Sequence, residues 1–251
     1  MAILGWILVS LVVVGLVSLV GAVYLLWQKK RVERWLPLMV GFATGALLAV
    51  SFFDLVPESF AMLGEVASAY ILGGLLVFLL FEQVLHLHHE HRHDCDDCKP
   101  KKVTGYSILL VDGMHNFLDG VLIASAFMVS PILGMTTTLA VIIHEVPQEL
   151  GDYAVLVHSG FKPAQALGWN LVSALTAMVG GLFGYFFLSG VERLVPYFVA
   201  VGAGGLMYIA LVDLMGEIRA HSKTNERWGQ ILAMLVGLGV LVLLMRVYAH
   251  E

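Results

Sequence analysis

The chain has 251 residues, of which 59% are hydrophobic and only 13% are charged, and its mean hydropathy is +0.86. Because a soluble domain has about a quarter of its residues charged, this composition excludes a soluble globular protein and predicts an all-α membrane protein with several spans. The net charge of −5 and the lack of a long basic face argue against nucleic-acid binding. The two cysteines, Cys95 and Cys98, allow at most one local disulfide.

Long apolar runs predict eight transmembrane helices. A bilayer core about 30 Å thick is crossed by roughly 20 apolar residues in a helix. The uncharged residues 1–28 are too long, and lack the basic start, for a cleaved signal peptide, so we expect a span there. Residues 103–157 are mostly apolar, and we expect a turn at Ser130-Pro131 to divide them. The predicted helices, numbered 1 to 8, are residues 2–28, 36–60, 66–86, 103–128, 134–158, 163–188, 195–217 and 228–248, in a single transmembrane domain.

The positions of lysine and arginine predict the orientation of these helices. With the amino terminus outside, twelve of the 14 basic residues fall in cytoplasmic loops, and only Arg193 and Arg246 lie outside. This bias follows the positive-inside rule. If the count were wrong by one helix, the basic residues would be divided between the two sides of the membrane. We therefore expect both termini on the extracytoplasmic side of the membrane, with the plasma membrane as the expected location.

Ionisable residues inside the predicted spans are the most informative feature of the sequence. They are Asp54 and Glu58 in predicted helix 2, Glu82 in helix 3, Asp112, His115 and Asp119 in helix 4, His144, Glu145, Glu149 and Asp152 in helix 5, and Asp213 and Glu217 in helix 7. Each acid at the bilayer centre costs about 2.5–3.5 kcal/mol on insertion scales. Predicted helices 4 and 5 contain no lysine or arginine to neutralise their acids. A bound cation is the simplest compensation.

The spacing of these residues places them on shared helix faces. Three pairs are four residues apart: His115 and Asp119, His144 and Gln148, and Glu145 and Glu149. Residues four apart lie one above the other on a helix, and imidazole with carboxylate suits zinc, iron or manganese. The pattern predicts a divalent metal site between the two helices. The alternative is a hydrogen-bond network between helices, which fits one or two polar residues better than this many.

A second motif offers an enzymatic alternative. His144-Glu145 begins like the H-E-x-x-H motif of zinc proteases, in which two histidines bind the metal and the glutamate is the general base. The fifth position is Gln148 instead of histidine, and Pro147 stands within the motif and removes a helical hydrogen bond. Intramembrane proteolysis dependent on Glu145 is therefore the less favoured hypothesis.

At this point the sequence resembles a known family. Residues 112–120, DGMHNFLDG, resemble the helix 4 signature of the ZIP (Zrt-, Irt-like) metal transporters, and residues 144–156, HEVPQELGDYAVL, resemble their helix 5 signature. The match is closest to the subfamily with the HNxxDG and HExPxE signatures. Residues 207–213 are similar to helix 7 of the family and residues 41–58 to helix 2, so the resemblance covers nearly the whole chain.

This resemblance implies a fold and a set of roles. Family members have eight helices, extracytoplasmic termini and a metal site between helices 4 and 5, often binuclear, and they move Zn²⁺ or related ions into the cytoplasm. By position, the first metal is expected on His115, Asp119, His144 and Gln148, and the second on Asn116 and Glu145, with Asn170. Glu149 matches a further signature position, and Asp54, Glu58, Asp152 and Asp213 are expected along the pathway. The resemblance suggests a homodimer, with no organic cofactor and no enzymatic activity.

The sequence departs from the signature at Gln148. The closest relatives have histidine there and others have glutamate. Because glutamine is a neutral oxygen donor, it is a weaker ligand for zinc than imidazole or carboxylate. We expect the substitution to weaken the first site and to relax its selectivity toward iron or manganese.

A tract rich in histidine and cysteine lies between predicted helices 3 and 4. The loop 86–102 contains His86, His88, His89, His91, His93, Cys95 and Cys98, and the orientation places it in the cytoplasm. Such tracts bind borderline divalent ions readily, so this one could receive ions that leave the pathway or sense cytoplasmic metal. The alternative is a disordered polar linker whose metal affinity is incidental.

The sequence thus predicts a divalent metal transporter, for zinc foremost and for iron or manganese as alternatives. Ions would enter from outside, bind between predicted helices 4 and 5, and leave toward the cytoplasmic loop. A metal sensor or receptor that binds ions without transport is the alternative from another functional class.

Overall fold

The computed structural model describes residues 2–90, 102–214 and 224–248, which are almost entirely helical and contain no β-strand. The α-helices are α1 (Ala2–Val50), α2 (Val56–Leu63), α3 (Ala67–Glu90), α4 (Lys102–Val129), α5 (Pro131–His158), α6 (Pro163–Ala174), α7 (Thr176–Gly190), α8 (Val195–Tyr208) and α9 (Thr224–Tyr248). Two π-helical segments, Ser51–Leu55 and Ile209–Leu214, follow α1 and α8. Helices satisfy all backbone groups within one segment, as a lipid environment requires.

Five helical stretches of the described residues are long and apolar enough to cross a membrane. They are Trp35–Leu80, Ile108–Val129, Pro163–Gly190, Glu192–Val212 and Arg227–Val247, and Ile3–Val17 is a shorter apolar helix. Helix α5 has 28 residues but is not in this set, since its acids and histidines lower its hydropathy. The protein is therefore a multi-pass integral membrane protein, and the predicted count of eight crossings stays a prediction.

The first two predicted helices are continuous in the structure, which differs from the expected loop at residues 29–35. Helix α1 runs for 49 residues with Pro37 inside it. The charged segment 29–34 consists of helix-forming residues with neither glycine nor proline, so its backbone contains no signal to end a helix. Loop prediction from charge alone failed here, because a charged segment need not leave the helical conformation.

Two other boundaries have clear local causes. After α2, Gly64 takes a φ of +62°, a conformation that only glycine adopts readily, and the 3₁₀ turn Gly64–Val66 leads into α3. Between α4 and α5, Ser130 accepts a hydrogen bond from the backbone N–H of Leu133 at 3.1 Å, and Pro131 occupies the first helical position. This cap starts α5 three residues earlier than the sequence predicted.

Glycines bring three pairs of helices into backbone contact. A Cβ atom added at any of them would overlap a carbonyl oxygen of the facing helix: Gly41, Gly45 and Gly237 between α1 and α9, Gly74 and Gly204 between α3 and α8, and Gly120 and Gly180 between α4 and α7. Small residues at such crossings are typical of helix packing in membranes. Helix α4 also packs against α5, α6 and α8, and α5 packs against α1, so the α4–α5 hairpin lies inside the bundle.

Two glycines in α9 offer a matched test of this packing. Gly237 is buried and faces the carbonyl oxygen of Phe42, whereas Gly239 has no atom within 4 Å of an added Cβ. We expect Gly237→Ala to destabilise the protein by about 1–3 kcal/mol through overpacking, which thermal unfolding in detergent would register as a lower Tm. Gly239→Ala is the control and should leave Tm unchanged or slightly higher. Equal effects of the two substitutions would contradict the packing.

Candidate metal centre

Four side chains from the α4–α5 hairpin meet inside the bundle. His115 and Asp119 lie one turn apart on α4, and His144 and Glu145 are adjacent on α5. Each offers one ligand atom, and these four atoms lie within 4.8 Å of one another. All four residues are buried, with His144 fully inaccessible and His115 the most accessible at 9%. The rings of Phe78 in α3 and His115 are nearly perpendicular to each other, with their centroids 6.4 Å apart.

The distances within this cluster match those of a tetrahedral metal site. His144 Nε2 lies 3.1 Å from Asp119 Oδ2 and 3.2 Å from His115 Nε2, and His115 Nε2 lies 3.5 Å from Asp119 Oδ2. Glu145 Oε1 lies 3.6 Å from His144 Nε2 and 3.8 Å from His115 Nε2. Ligand atoms 2.0–2.2 Å from a tetrahedral zinc ion are separated from one another by about 3.3–3.6 Å. The five observed distances run from 3.1 to 3.8 Å, which is slightly below to slightly above that range.

The orientation of the His144 ring prevents the neutral imidazole from donating a hydrogen bond to Asp119. Its Nδ1 lies 3.1 Å from the carbonyl oxygen of Ala140. Because a carbonyl oxygen only accepts, Nδ1 carries the proton, and in the neutral ring Nε2 presents its lone pair to the cluster. Two lone pairs, on Nε2 and on Asp119 Oδ2, then face each other at 3.1 Å. A histidine that donates its other N–H to a carbonyl is the usual arrangement of a metal ligand.

Unpaired buried oxygen atoms surround the same region. Among the described residues, the oxygens here that lack a hydrogen-bond partner are Asp119 Oδ2, both carboxylate oxygens of Glu145, Asp112 Oδ2, Asn116 Oδ1, Gln148 Oε1, Glu149 Oε1 and Asn170 Oδ1. Buried polar atoms are rarely left unpaired in native proteins. Two imidazoles and several carboxylate or amide oxygens, with no thiol in the cluster, suit a borderline or hard divalent ion.

The structure brings together only part of the predicted ligand sets. His115, Asp119 and His144 of the predicted first set are together, and Glu145, predicted in the second set, lies with them. Gln148 is only partly buried, and its side chain faces Asp112. Asn116, Glu149 and Asn170 are buried nearby, and Nδ2 of Asn170 donates to the backbone oxygen of Glu149 at 3.0 Å.

The predicted pathway residues lie in different places. Asp54, in the first π-helical segment, is half-buried, accepts a hydrogen bond from Thr136 of α5 and faces Glu58. Asp152 of α5 is half-buried. The side chain of Asp213 lies outside the described residues, as do the side chains of the predicted metal-binding loop: His86, His88, His89, His91, His93, Cys95 and Cys98.

Sequence reasoning did not assign Asp112 to the site. Asp112 is 2% exposed, and its Oδ1 accepts a hydrogen bond of 2.9 Å from Nδ2 of Asn116. The signal was available, since the two residues are four apart on α4, the same spacing that identified His115 and Asp119. Asp112 was counted among the acids inside the spans, but no ligand role was expected for it.

Comparison with known proteins agrees with this geometry. The family model described as ZIP zinc transporter matches residues 3–102 and 86–245 of the chain. The zinc transporter foi of Drosophila melanogaster is 40% identical over 140 residues, which cover 55% of this chain and 20% of that protein. Zinc transporter ZIP13 of Pongo abelii is 31% identical over 221 residues, covering 82% of this chain and 65% of that protein.

A more distant relative matches over a greater length. The metal cation symporter ZIP14 of Bos taurus is 26% identical over 336 aligned positions, covering 98% of this chain and 68% of that protein. The chain spans less than two thirds of the fly and ape relatives, at 20% and 65% of their lengths. Because the family model matches nearly the whole chain, this protein belongs to the ZIP zinc transporter family.

Proposed function

We propose that the protein transports a divalent metal ion, zinc foremost, across the membrane into the cytoplasm, and that the ion binds His115, Asp119, His144 and Glu145. The observation that carries this proposal is the buried cluster of two imidazoles and two carboxylates whose ligand atoms lie within 4.8 Å of one another. The relatives named as zinc transporters and as a metal cation symporter support transport over sensing.

Charge balance supports a divalent ion as the substrate. Residues 103–158, which contain α5 and most of α4, include no lysine or arginine. Asp119 and Glu145 are 3% and 1% exposed, and each ionised carboxylate at the bilayer centre costs about 2.5–3.5 kcal/mol on insertion scales. Two carboxylates and one divalent cation together are neutral, so the bound ion cancels the charge of Asp119 and Glu145, which are two of the five acids in this hairpin.

We also propose a second ion beside the first, with Glu145 shared between them. Oε1 of Glu145 lies within 3.8 Å of both histidines, whereas its Oε2 is buried without a hydrogen-bond partner among the described residues. Unpaired oxygens of Asn116, Glu149 and Asn170 supply further donors. This second set contains oxygen only, so it favours harder divalent ions than the first.

The position of Glu145 argues against the proteolytic alternative. In an H-E-x-x-H protease the glutamate is the general base and the second histidine is a ligand. Here the fifth residue is Gln148, and Glu145 Oε1 lies with the histidine nitrogens among the candidate ligand atoms. The protein is a member of a transporter family and not an enzyme.

We propose eight crossings with both termini outside the cell membrane, in which residues 2–28 and 36–60 cross separately and the charged segment 29–34 lies on the cytoplasmic side. This topology differs from the structure, where α1 is helical through that segment. The distribution of basic residues, twelve inside against two outside, supports this topology. So does the length of α1, since a straight helix of 49 residues is about 74 Å long and a bilayer core is about 30 Å thick.

Uptake by ligand variants tests the transport proposal. We expect Asp119→Ala and His144→Ala to abolish zinc uptake into proteoliposomes, because each removes a ligand from the substrate ion. Ser125→Ala is a matched control on α4, since Ser125 is fully buried but hydrogen-bonds only within its own helix. Unchanged uptake by well-inserted ligand variants would contradict the assignment. Zinc binding without uptake by the wild type would support a sensor instead.

Selectivity tests the role of Gln148. We expect the wild type to carry several of Zn²⁺, Fe²⁺, Mn²⁺ and Cd²⁺, and Gln148→His to narrow uptake toward zinc, because imidazole is a stronger zinc ligand than an amide oxygen. The measurement is competitive uptake of the four ions into proteoliposomes. An unchanged metal profile in Gln148→His would show that this position does not set selectivity.

Labelling with a membrane-impermeant maleimide tests the topology. In a Cys95→Ser/Cys98→Ser background, we expect Ala2→Cys and Glu192→Cys to react in intact cells and Val32→Cys to react only after permeabilisation. The reason is that, in the proposed topology, the first two positions lie outside and the third lies on the cytoplasmic side. Labelling of Ala2→Cys and Glu192→Cys from opposite sides would contradict an even number of crossings between them.

A further inference from the structure

The side-chain amide of Asn116 is held through its nitrogen only. Nδ2 donates to Asp112 twice, to the carboxylate Oδ1 at 2.9 Å and to the backbone oxygen at 3.1 Å. The amide oxygen, Oδ1 of Asn116, is buried without a hydrogen-bond partner among the described residues. Asn116 and Asp112 are 1% and 2% exposed. The amide is therefore anchored on one side and offers a free oxygen on the other.

The chemistry of the two acceptors fixes this orientation. A carboxylate and a backbone carbonyl accept hydrogen bonds but cannot donate them. If the Asn116 amide rotated by half a turn, its oxygen would face two acceptor oxygens and its nitrogen would lose both of its hydrogen bonds. Both changes are unfavourable in a buried site, where unpaired polar groups are costly. The acceptors on Asp112 thus decide which atom of Asn116 is available to a cation.

Asp112 itself is separate from the four-residue cluster. Its acceptor Oδ1 is engaged by Asn116, and Asp112 is not among the residues whose ligand atoms lie within 4.8 Å of one another. Its carboxyl group faces Ser173 and Gln148. This arrangement resembles the outer groups that orient metal ligands by hydrogen bonding.

We propose that Asp112 is a positioning residue, which holds the Asn116 amide with its oxygen toward the substrate ion and its nitrogen away. The inference rests on the proposed function, because it requires an ion beside Asn116. It adds a residue outside the ligand set that determines whether Asn116 can act as a ligand at all.

Equilibrium dialysis of the full-length protein with radioactive zinc tests this proposal. The zinc binding lost in His144→Ala defines the first ion, and the component lost in Asn116→Ala defines the ion beside Asn116. The histidine- and cysteine-rich loop is unchanged in every variant. We expect Asp112→Ala to weaken the component that depends on Asn116 about tenfold, the lower end of the effect of outer-shell substitutions on metal affinity. The lower end applies because the backbone oxygen of Asp112 still accepts from Asn116.

Two further variants separate positioning from a general structural effect. Asp112→Asn should bind zinc much as the wild type does, because its amide oxygen can still accept from Asn116. In an Asn116→Ala background, Asp112→Ala should cause no further loss, since residues that act as a unit are not additive. If the alanine variant does not fold, Asp112→Leu fills the volume without offering an acceptor and gives the same test.

The outcomes that overturn the proposal are distinct from failure of the proposed function. Wild-type affinity in Asp112→Ala would show that Asp112 does not orient Asn116. A loss in Asp112→Asn as large as in Asp112→Ala would show that Asp112 acts through its charge or as a ligand. An additive loss in the Asn116→Ala background would show that it acts elsewhere. Absence of any His144-dependent zinc binding in the wild type would instead contradict the intramembrane site itself.

Discussion

The proposed metal centre depends on one constraint, the burial of negative charge inside the helix bundle. Asp119 and Glu145 lie inside the bundle on helices that contain no basic side chain between residues 103 and 158. A neutral His144 cannot compensate this charge, because its Nδ1 proton is used on the carbonyl oxygen of Ala140 and its Nε2 has none to donate to Asp119. A divalent ion at the centre of the four ligand atoms satisfies the lone pairs and the charge together. One requirement, the neutralisation of these buried acids, thus accounts for the proposed metal site.

Helix packing holds the ligands at the required separation. Gly120 of α4 and Gly180 of α7 allow backbone contact between these helices, and Gly120 directly follows Asp119. The Ser130 cap starts α5 directly after the end of α4. This short connection fixes how far along α5 His144 lies, and so places it opposite Asp119. These glycines and the short turn therefore position the candidate ligands without binding the ion themselves. Substitutions at these positions are expected to change the distances between the ligand atoms.

The sequence predicted the helical class and a multi-pass membrane protein, and helical spacing placed His115 and Asp119 on one helix face. The family resemblance added His144 to the same ligand set, and the structure brings these three residues together. Neither predicted that Glu145 joins these three residues. Glu145 lies about 100° around α5 from His144, so the spacing along one helix assigns the two residues to different faces. The position of α4 supplies the missing information, because ligand atoms of adjacent residues can converge on one point between two helices.

The boundary of α1 shows a different limit. Charge and hydropathy predicted a loop at residues 29–35, but the conformation of the backbone depends on helix propensity and on glycine or proline, and this segment lacks both breakers. Hydropathy locates the part of a helix that can lie in lipid and says little about where the helix ends. The role of Asp112 was missed for a related reason, because spacing identifies neighbours on a helix but does not show which of them hydrogen-bonds which.

Anomalous diffraction at the zinc absorption edge, from crystals of the protein grown with zinc, is the most direct test of the account. The account predicts an anomalous peak between α4 and α5 at about 2.0–2.2 Å from the Nε2 atoms of His115 and His144 and from a carboxylate oxygen of Asp119 and of Glu145. Zinc bound only by the loop 86–102, with no peak between these four side chains, would contradict it.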